Sequence, residues 1–203
     1  MRQYYRFLLA ILCVLTLSLP TRAQSIVQIE EDWELVVIQP EVQLDAPQIT
    51  MTMLPFYSST YLQVDINHAT EPEFQRGGVQ VRACDNKGCF ASKRLAPDQV
   101  IADSGEVIRW TQSVRAVPGG FEFGIESGSS SSFGAFGGSA SYVTIPATLA
   151  GSGGLEAYNP MDSLNNSGVT FSRNRVERLR LKSVRVHLSS GDVFEWGFNA
   201  DIE

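Results

Sequence analysis

Apolar and polar residues alternate along most of the chain with a period of two. The pattern is clear over residues 29–37, 62–67 and 194–198, and Gly, Pro, Asn or Ser bound each run. No stretch of 12 residues shows the 3.6-residue period of a helix, although short helical turns fit residues 97–102 or 160–164. Many short strands with one apolar face pack as two sheets. The pattern therefore predicts an all-β fold, a two-sheet antiparallel β-sandwich or jelly roll.

The first residues have the three-part layout of a secretory signal. A basic segment precedes an apolar run over residues 7–19, and small residues stand at the two positions that a signal peptidase reads, Thr21 and Ala23. Thirteen apolar residues are too few for a bilayer core, which takes about 20. We therefore expect residues 1–23 to be a signal peptide and residues 24–203 to form a single domain. That domain would be periplasmic, cell-surface or extracellular, with no membrane insertion after cleavage.

The charge of the chain argues against nucleic acid as a partner. The net charge is −6, and removal of the leader with its three arginines brings it to about −9. A surface of this sign repels the phosphate backbone.

Two cysteines remain beyond the leader, Cys84 and Cys89. The four residues between them, Asp-Asn-Lys-Gly, are typical of a turn, and valines alternate before them. Opposed residues of a hairpin lie at distances that a disulfide can bridge, and an exported protein meets an oxidising compartment. We expect a disulfide at the tip of a β-hairpin rather than a redox-active pair, which usually has two residues between its cysteines.

Three acidic residues, Glu30, Asp32 and Glu34, would project from one face of a strand. Carboxylates two residues apart resemble the nucleophile, helper and acid of laminarinase-type jelly-roll glycosidases. Here the first spacer is Glu31, which would place a charge on the core side. The alternative is a charged edge strand that resists pairing with other chains, and this is the interpretation we favour.

No metal or cofactor site is indicated. The two histidines, His68 and His187, are far apart, and neither has a second ligand at a metal-binding spacing. The glycine and lysine pattern of a phosphate-binding loop is absent as well.

Charged clusters of opposite sign lie near the two ends of residues 24–203. In many sandwiches the first and last strands are neighbours. We predict that the strand over residues 178–188, or its hairpin partner over 193–200, lies beside the strand containing residues 30–34. Each exposed pair of opposite charges would then contribute about 0.2–1 kcal/mol. Apolar residues stand at odd positions up to Leu181 and at even positions from Val184 onward, and this switch in parity predicts a β-bulge at Ser183. The predicted orientation turns Trp33, Leu35, Val37, Leu179 and Leu181 inward and Glu30, Asp32, Glu34, Arg178, Arg180 and Lys182 outward.

Aromatic residues near loops are the candidate ligand contacts. Residues 124–139 contain 11 Gly or Ser among 16, interrupted by Phe133 and Phe136. This segment is either a crossover loop held by two aromatic rings or a loop that faces a ligand. Tyr57, Tyr61 and Tyr158 also lie near loops, whereas the three tryptophans share parity with aliphatic neighbours and are expected in the core.

Several segments together carry a resemblance: Glu-Asp-Trp-Glu at 31–34, residues 63–68, residues 77–80 and residues 133–138. They resemble a group of exported bacterial proteins whose activity is uncharacterised. The layout is also loosely similar to concanavalin A-like sandwiches, a superfamily of lectins and glycosidases, which implies carbohydrate as a ligand but supplies no site residue here.

The leading interpretation is a secreted, non-enzymatic β-sandwich module that binds a polysaccharide or surface glycan. The second is a structural component of a cell envelope or extracellular matrix. The third is a glycosidase that uses the three carboxylates of the first strand.

Overall fold

The computed structural model describes residues 24–38, 47–67, 77–96, 101 and 103–202. Two antiparallel sheets pack against each other around one apolar core, which confirms the predicted all-β sandwich. The predicted signal peptide lies outside the described residues.

The larger sheet has the strand order β12-β11-β1-β6-β7-β8, with β9 also pairing with β7. Its strands are β1 (Ile26–Val37), β6 (Val107–Val117), β7 (Gly120–Ser130), β8 (Gly134–Phe136), β9 (Val143–Pro146), β11 (Val176–Leu188) and β12 (Val193–Asp201). The smaller sheet has the order β10-β2-β3-β4-β5. Its strands are β2 (Gln48–Met53), β3 (Tyr61–Ile66), β4 (Val79–Asp85), β5 (Gly88–Leu95) and β10 (Gly168–Phe171).

Two short helices follow β9 along the chain, α1 (Ala147–Ala150) and α2 (Pro160–Asn166). The helical turn predicted near residues 160–164 is therefore confirmed, and most of the alternative segment, 97–102, lies outside the described residues. Within the described ranges, neither helix has the length or apolar composition needed to cross a bilayer.

Strand β1 lies inside the larger sheet, between β11 and β6, so the prediction that the acidic strand is a charged edge strand is wrong. Its acidic residues are instead paired with cations on the outer face of the sheet. Its side chains Trp33, Leu35 and Val37 are buried, as their parity predicts. The register between β1 and β11 shifts after the pair Asp32–Ser183, so Lys182 is the extra residue. This bulge lies next to the predicted position, and it lets β11 bury apolar residues on both sides of the parity switch.

Opposite charges meet on the outer face of this sheet, as the neighbouring first and last strands predict. Glu30 lies across from Arg185, whose guanidinium contacts Glu30 Oε2 at 2.6 Å and Asp32 Oδ2 at 2.5 Å. Arg180 instead pairs with Asp201 of β12, at 2.6 Å. The acidic cluster therefore pairs mainly with Arg185, which lies outside the predicted set of outward-facing cations.

The Gly- and Ser-rich segment is not the long loop that its composition suggests. Strand β7 continues to Ser130, and β8 pairs with it after a short turn. The phenyl ring of Phe136 lies over Gly128, where a Cβ would come within 2.2 Å of the ring. Small residues in this stretch therefore make room for an aromatic ring on a paired strand.

The predicted disulfide joins Cys84 to Cys89 at the tip of the β4–β5 hairpin. We expect the Cys84→Ala, Cys89→Ala double variant to lose about 2 kcal/mol of unfolding free energy, because the closed loop is short. Urea denaturation of the variant, and of the wild type with and without reductant, measures this loss. A variant much less stable than the reduced wild type would show that packing of the buried Cys84, rather than the bond, carries the effect.

Candidate functional site

Part of the inner face of the larger sheet is open to solvent. Phe194 and Trp196 of β12 lie across from Val186 and Val184 of β11. Val184 and Val186 are buried, whereas Phe194 and Trp196 are each 49% exposed. The inner face of the larger sheet therefore extends, at β12, beyond the part that other residues of the protein cover.

A groove of about 330 Å³ lies on this open part of the face, and we call it the Trp196 groove. It has the volume of a small-ligand site. The ring of Phe194 stacks on Trp196 beside it, with centroids 6.1 Å apart and planes inclined by 19°. The residues that line the Trp196 groove are Ile26, Tyr158, Pro160, Val184, Val186, Trp196 and Phe198.

The prediction that all three tryptophans lie in the core is wrong for Trp196. Trp33 and Trp110 are buried and stack on each other with centroids 6.3 Å apart. Trp196 has the same parity as its aliphatic neighbours and faces the same side of the sheet. It is exposed because its strand is the outermost of the larger sheet.

Behind one wall of the groove lies the buried carboxylate of Glu31, on the core side as its parity predicts. Its Oε2 accepts hydrogen bonds from Trp33 Nε1 at 2.9 Å and Gln112 Nε2 at 2.7 Å. Its Oε1 accepts from the hydroxyls of Tyr158 at 2.7 Å and Ser163 at 2.5 Å. Burial raises the pKa of Glu31 against the opposing effect of these four hydrogen bonds.

The geometry around Glu31 suits a neutral carboxylic acid. The two N–H groups at Oε2 can only donate, whereas the two hydroxyls at Oε1 can donate or accept. A proton on Oε1 would therefore still find an acceptor. Burial also raises the pKa of the Tyr158 phenol, so this hydroxyl stays protonated.

Helix α2 holds in place the wall of the groove that Tyr158 and Pro160 form. Asn159 caps the helix by accepting a hydrogen bond from the Met161 N–H at 3.0 Å, and Pro160 occupies the first turn. This cap positions Tyr158 immediately before the helix and Ser163 within it. Both hydroxyls bind Glu31, so the wall is tied directly to β1.

The three carboxylates considered for catalysis lie on the opposite, outer face of the larger sheet. Asp32 and Glu34 border a depression of about 490 Å³. Burial alone would raise the pKa of Asp32, but hydrogen bonds from Arg185, Thr111 and Ser183 more than offset it and the pKa is lowered. Glu34 accepts from Arg109 at 3.0 Å. The side chains of Glu30, Asp32 and Glu34 are thus all held by arginines.

Of the five aromatic residues predicted to contact a ligand, Tyr158 lines the Trp196 groove. Tyr57 is 66% exposed, and its hydroxyl donates to the Glu156 carbonyl at 3.2 Å. Tyr61 is half-buried on β3. Phe133 is buried in the core, and half-buried Phe136 packs edge-on against it with centroids 6.1 Å apart.

Possible metal ligands are dispersed in the part of the chain that the structure describes. No three His, Cys, Asp or Glu side chains among those residues are grouped so that they could hold an ion. His187 Nε2 lies 3.5 Å from Glu30 Oε1, and His68 is outside the described residues.

Comparison of the chain with models of known protein families gives no match. A search of curated proteins likewise gives no match.

Proposed function

We propose that this protein is an exported, non-catalytic binding module that holds a neutral glycan on the Trp196 groove. The observation that supports this most directly is the half-exposed pair Phe194 and Trp196, whose rings are nearly parallel. Isolated exposed apolar side chains are common, but a stacked aromatic pair beside a ligand-sized groove points to recognition.

The chemistry of the groove favours a sugar with an apolar ring face. Aromatic rings offer flat apolar surfaces that can stack on the C–H face of a pyranose. Among the described residues, neither lysine nor arginine lines the groove, so this part of the protein offers an acidic sugar no cation. Neutral polysaccharides are therefore the ligand class that we propose.

The same structure gives less support to glycoside hydrolysis. A retaining or inverting glycosidase needs one carboxylic acid that is protonated near neutral pH. Asp32 has a lowered pKa and is held by Arg185, which suits an ion pair rather than an acid catalyst. Unchanged polysaccharide length after prolonged incubation at several pH values would agree with binding alone.

We expect Trp196→Ala to weaken binding of a neutral polysaccharide by about 30-fold, because a central aromatic contact contributes about 2 kcal/mol. Isothermal titration against a panel of neutral and acidic polysaccharides measures this. The matched control is Phe90→Ala, which removes a 38% exposed aromatic ring from β5 of the other sheet. Equal affinity of wild type and Trp196→Ala, or binding to acidic polysaccharides alone, would contradict the proposal.

A structural role in a cell envelope or matrix is the second candidate. The observation that favours it is the long apolar strand at the edge of the larger sheet, β12. Cell fractionation distinguishes the two roles, because a structural component is expected to be abundant and insoluble.

A further inference from the structure

Strand β12 differs from the other sheet edges among the described residues. It has nine residues, and Val193, Phe194 and Trp196 are each about half exposed. It carries no lysine, arginine or proline, the residues that usually protect an edge from pairing.

The other edges are shorter or protected. Strands β8, β9 and β10 have three or four residues each. Strand β5 carries Lys93 and Arg94, and the Lys93 ammonium donates to the Ala140 carbonyl at 3.0 Å. In the part of the chain that the structure describes, β12 is therefore the longest edge strand without a cation or proline, and its β-bulge at residues 198–199 begins only after Gly197.

The free hydrogen-bonding groups of β12 can be assigned from its hairpin. The Leu188 N–H donates to the Asp192 carbonyl at 2.9 Å, so residue 192 points toward β11. Backbone groups alternate in direction along an antiparallel strand. The N–H and C=O groups of Val193, Glu195 and Gly197 therefore point away from β11, on an edge with which no other described strand pairs.

The sequence of this edge is suited to pairing with itself. Residues 194–198 form a nearly symmetric run, Phe-Glu-Trp-Gly-Phe. It has phenylalanine at both ends and tryptophan at the centre, and only Glu195 and Gly197 break the symmetry. A two-fold axis at Trp196 places Trp196 opposite its copy and Phe194 opposite Phe198, in aromatic pairs that stabilise adjacent strands.

The position of the charged residue Glu195 also fits a two-fold axis at Trp196. Glu195 then lies opposite Gly197 of the second copy, where no side chain carries a like charge. An axis at Glu195 would instead oppose two glutamates, which is destabilising. Within one chain, Glu195 lies directly across from Arg185 of β11, whose guanidinium binds Glu30 and Asp32.

We infer that two copies of this chain associate through antiparallel pairing of their β12 strands about a two-fold axis at Trp196. The association joins the two larger sheets into one continuous sheet. It uses backbone groups at the edge, so it goes beyond the proposed glycan site, which uses side chains on the inner face. The exposed aromatic residues of both copies would lie in one row.

Sedimentation equilibrium of the purified protein from about 1 µM to about 100 µM tests the inference. We expect a dimer whose dissociation constant rises at least tenfold in Glu195→Pro. Proline removes an outward N–H without breaking a bond to β11 and is tolerated on edge strands. A second variant, Trp196→Glu, opposes like charges across the axis and should also give monomers.

Phe90→Glu is the matched control, because it places the same charge on an exposed aromatic position of β5 and should leave the dimer intact. A wild-type protein that is monomeric at every concentration would overturn the inference. So would a folded Glu195→Pro variant, verified by circular dichroism, that dimerises as tightly as the wild type. Glu195→Pro retains the groove, so loss of its dimer with retained polysaccharide binding separates this inference from the proposed function.

Discussion

Replacing Glu31 by alanine is expected to lower the free energy of unfolding by about 3–5 kcal/mol, whereas glutamine should cost nothing at neutral pH. Alanine leaves a cavity and removes the acceptor that the Trp33 and Gln112 N–H groups share. Glutamine keeps that acceptor, and its amide NH₂ can donate to the hydroxyls of Tyr158 and Ser163. Urea denaturation at pH 7 of both variants measures the contrast. A glutamine variant as unstable as the alanine variant would show that the negative charge itself is needed.

The pH dependence of the glutamine variant gives an independent check. The pKa of Glu31 is raised above 4.5 in the folded protein. Its contribution to stability is therefore fully present below pH 4.5 and is lost as the pH rises through the folded-state pKa, because the unfolded chain releases its proton first. Glu31→Gln should lack this loss. The control Glu177→Gln, at a side chain that is 58% exposed, should retain the wild-type profile.

Replacing Arg185 by methionine is expected to cost about 2–3 kcal/mol, because it leaves two partly buried carboxylates without their shared cation. The Arg185 side chain is 26% exposed and contacts both Glu30 and Asp32. Chemical denaturation at pH 7 measures the loss. Arg109→Met is the matched control and should cost less than about 1 kcal/mol, because this arginine is 65% exposed and contacts only Glu34 among the described ion pairs.

The cost of Arg185→Met should shrink in acid. Because the pKa of Asp32 is lowered from 3.8, its stabilising contribution is present above pH 3.8 and is lost as the pH falls through the folded-state pKa. The wild type and the variant should therefore converge once the pH falls below the folded-state pKa of Asp32, which lies under 3.8. A difference that persists unchanged in acid would mean that packing of the Arg185 side chain, not its charge, stabilises the two strands.

Strand positions and facing directions could be predicted because alternation is a local signal. The burial of Trp33, Leu35 and Val37 follows from their parity alone, and the bulge near Ser183 follows from a visible parity switch. Parity also placed Glu31 on the core side. These conclusions need no knowledge of which strands become neighbours.

Of the candidate site only Tyr158 could be predicted, because the rest depends on distant partners and on whether another layer covers that face of the sheet. The hydroxyls that bind Glu31 belong to Tyr158 and Ser163, which follow it in the chain by 127 and 132 positions. Trp196 has the alternation of a core residue, and alternation cannot show whether another layer covers that face. Phe133 shows the converse, because a Gly- and Ser-rich context suggests a loop while its ring lies in the core.

The position of β1 inside the larger sheet has a consequence for the order of folding. β1 is the first strand described, yet Glu30 on β1 contacts Arg185 on β11, 155 residues later. Residues up to β11 must therefore be available before β1 can pair with β11. Contacts of such high sequence separation slow folding. During that interval the edge of β1 that pairs with β11 has no partner, so the newly made chain is most prone to misassociation through this edge before residues 176–188 emerge.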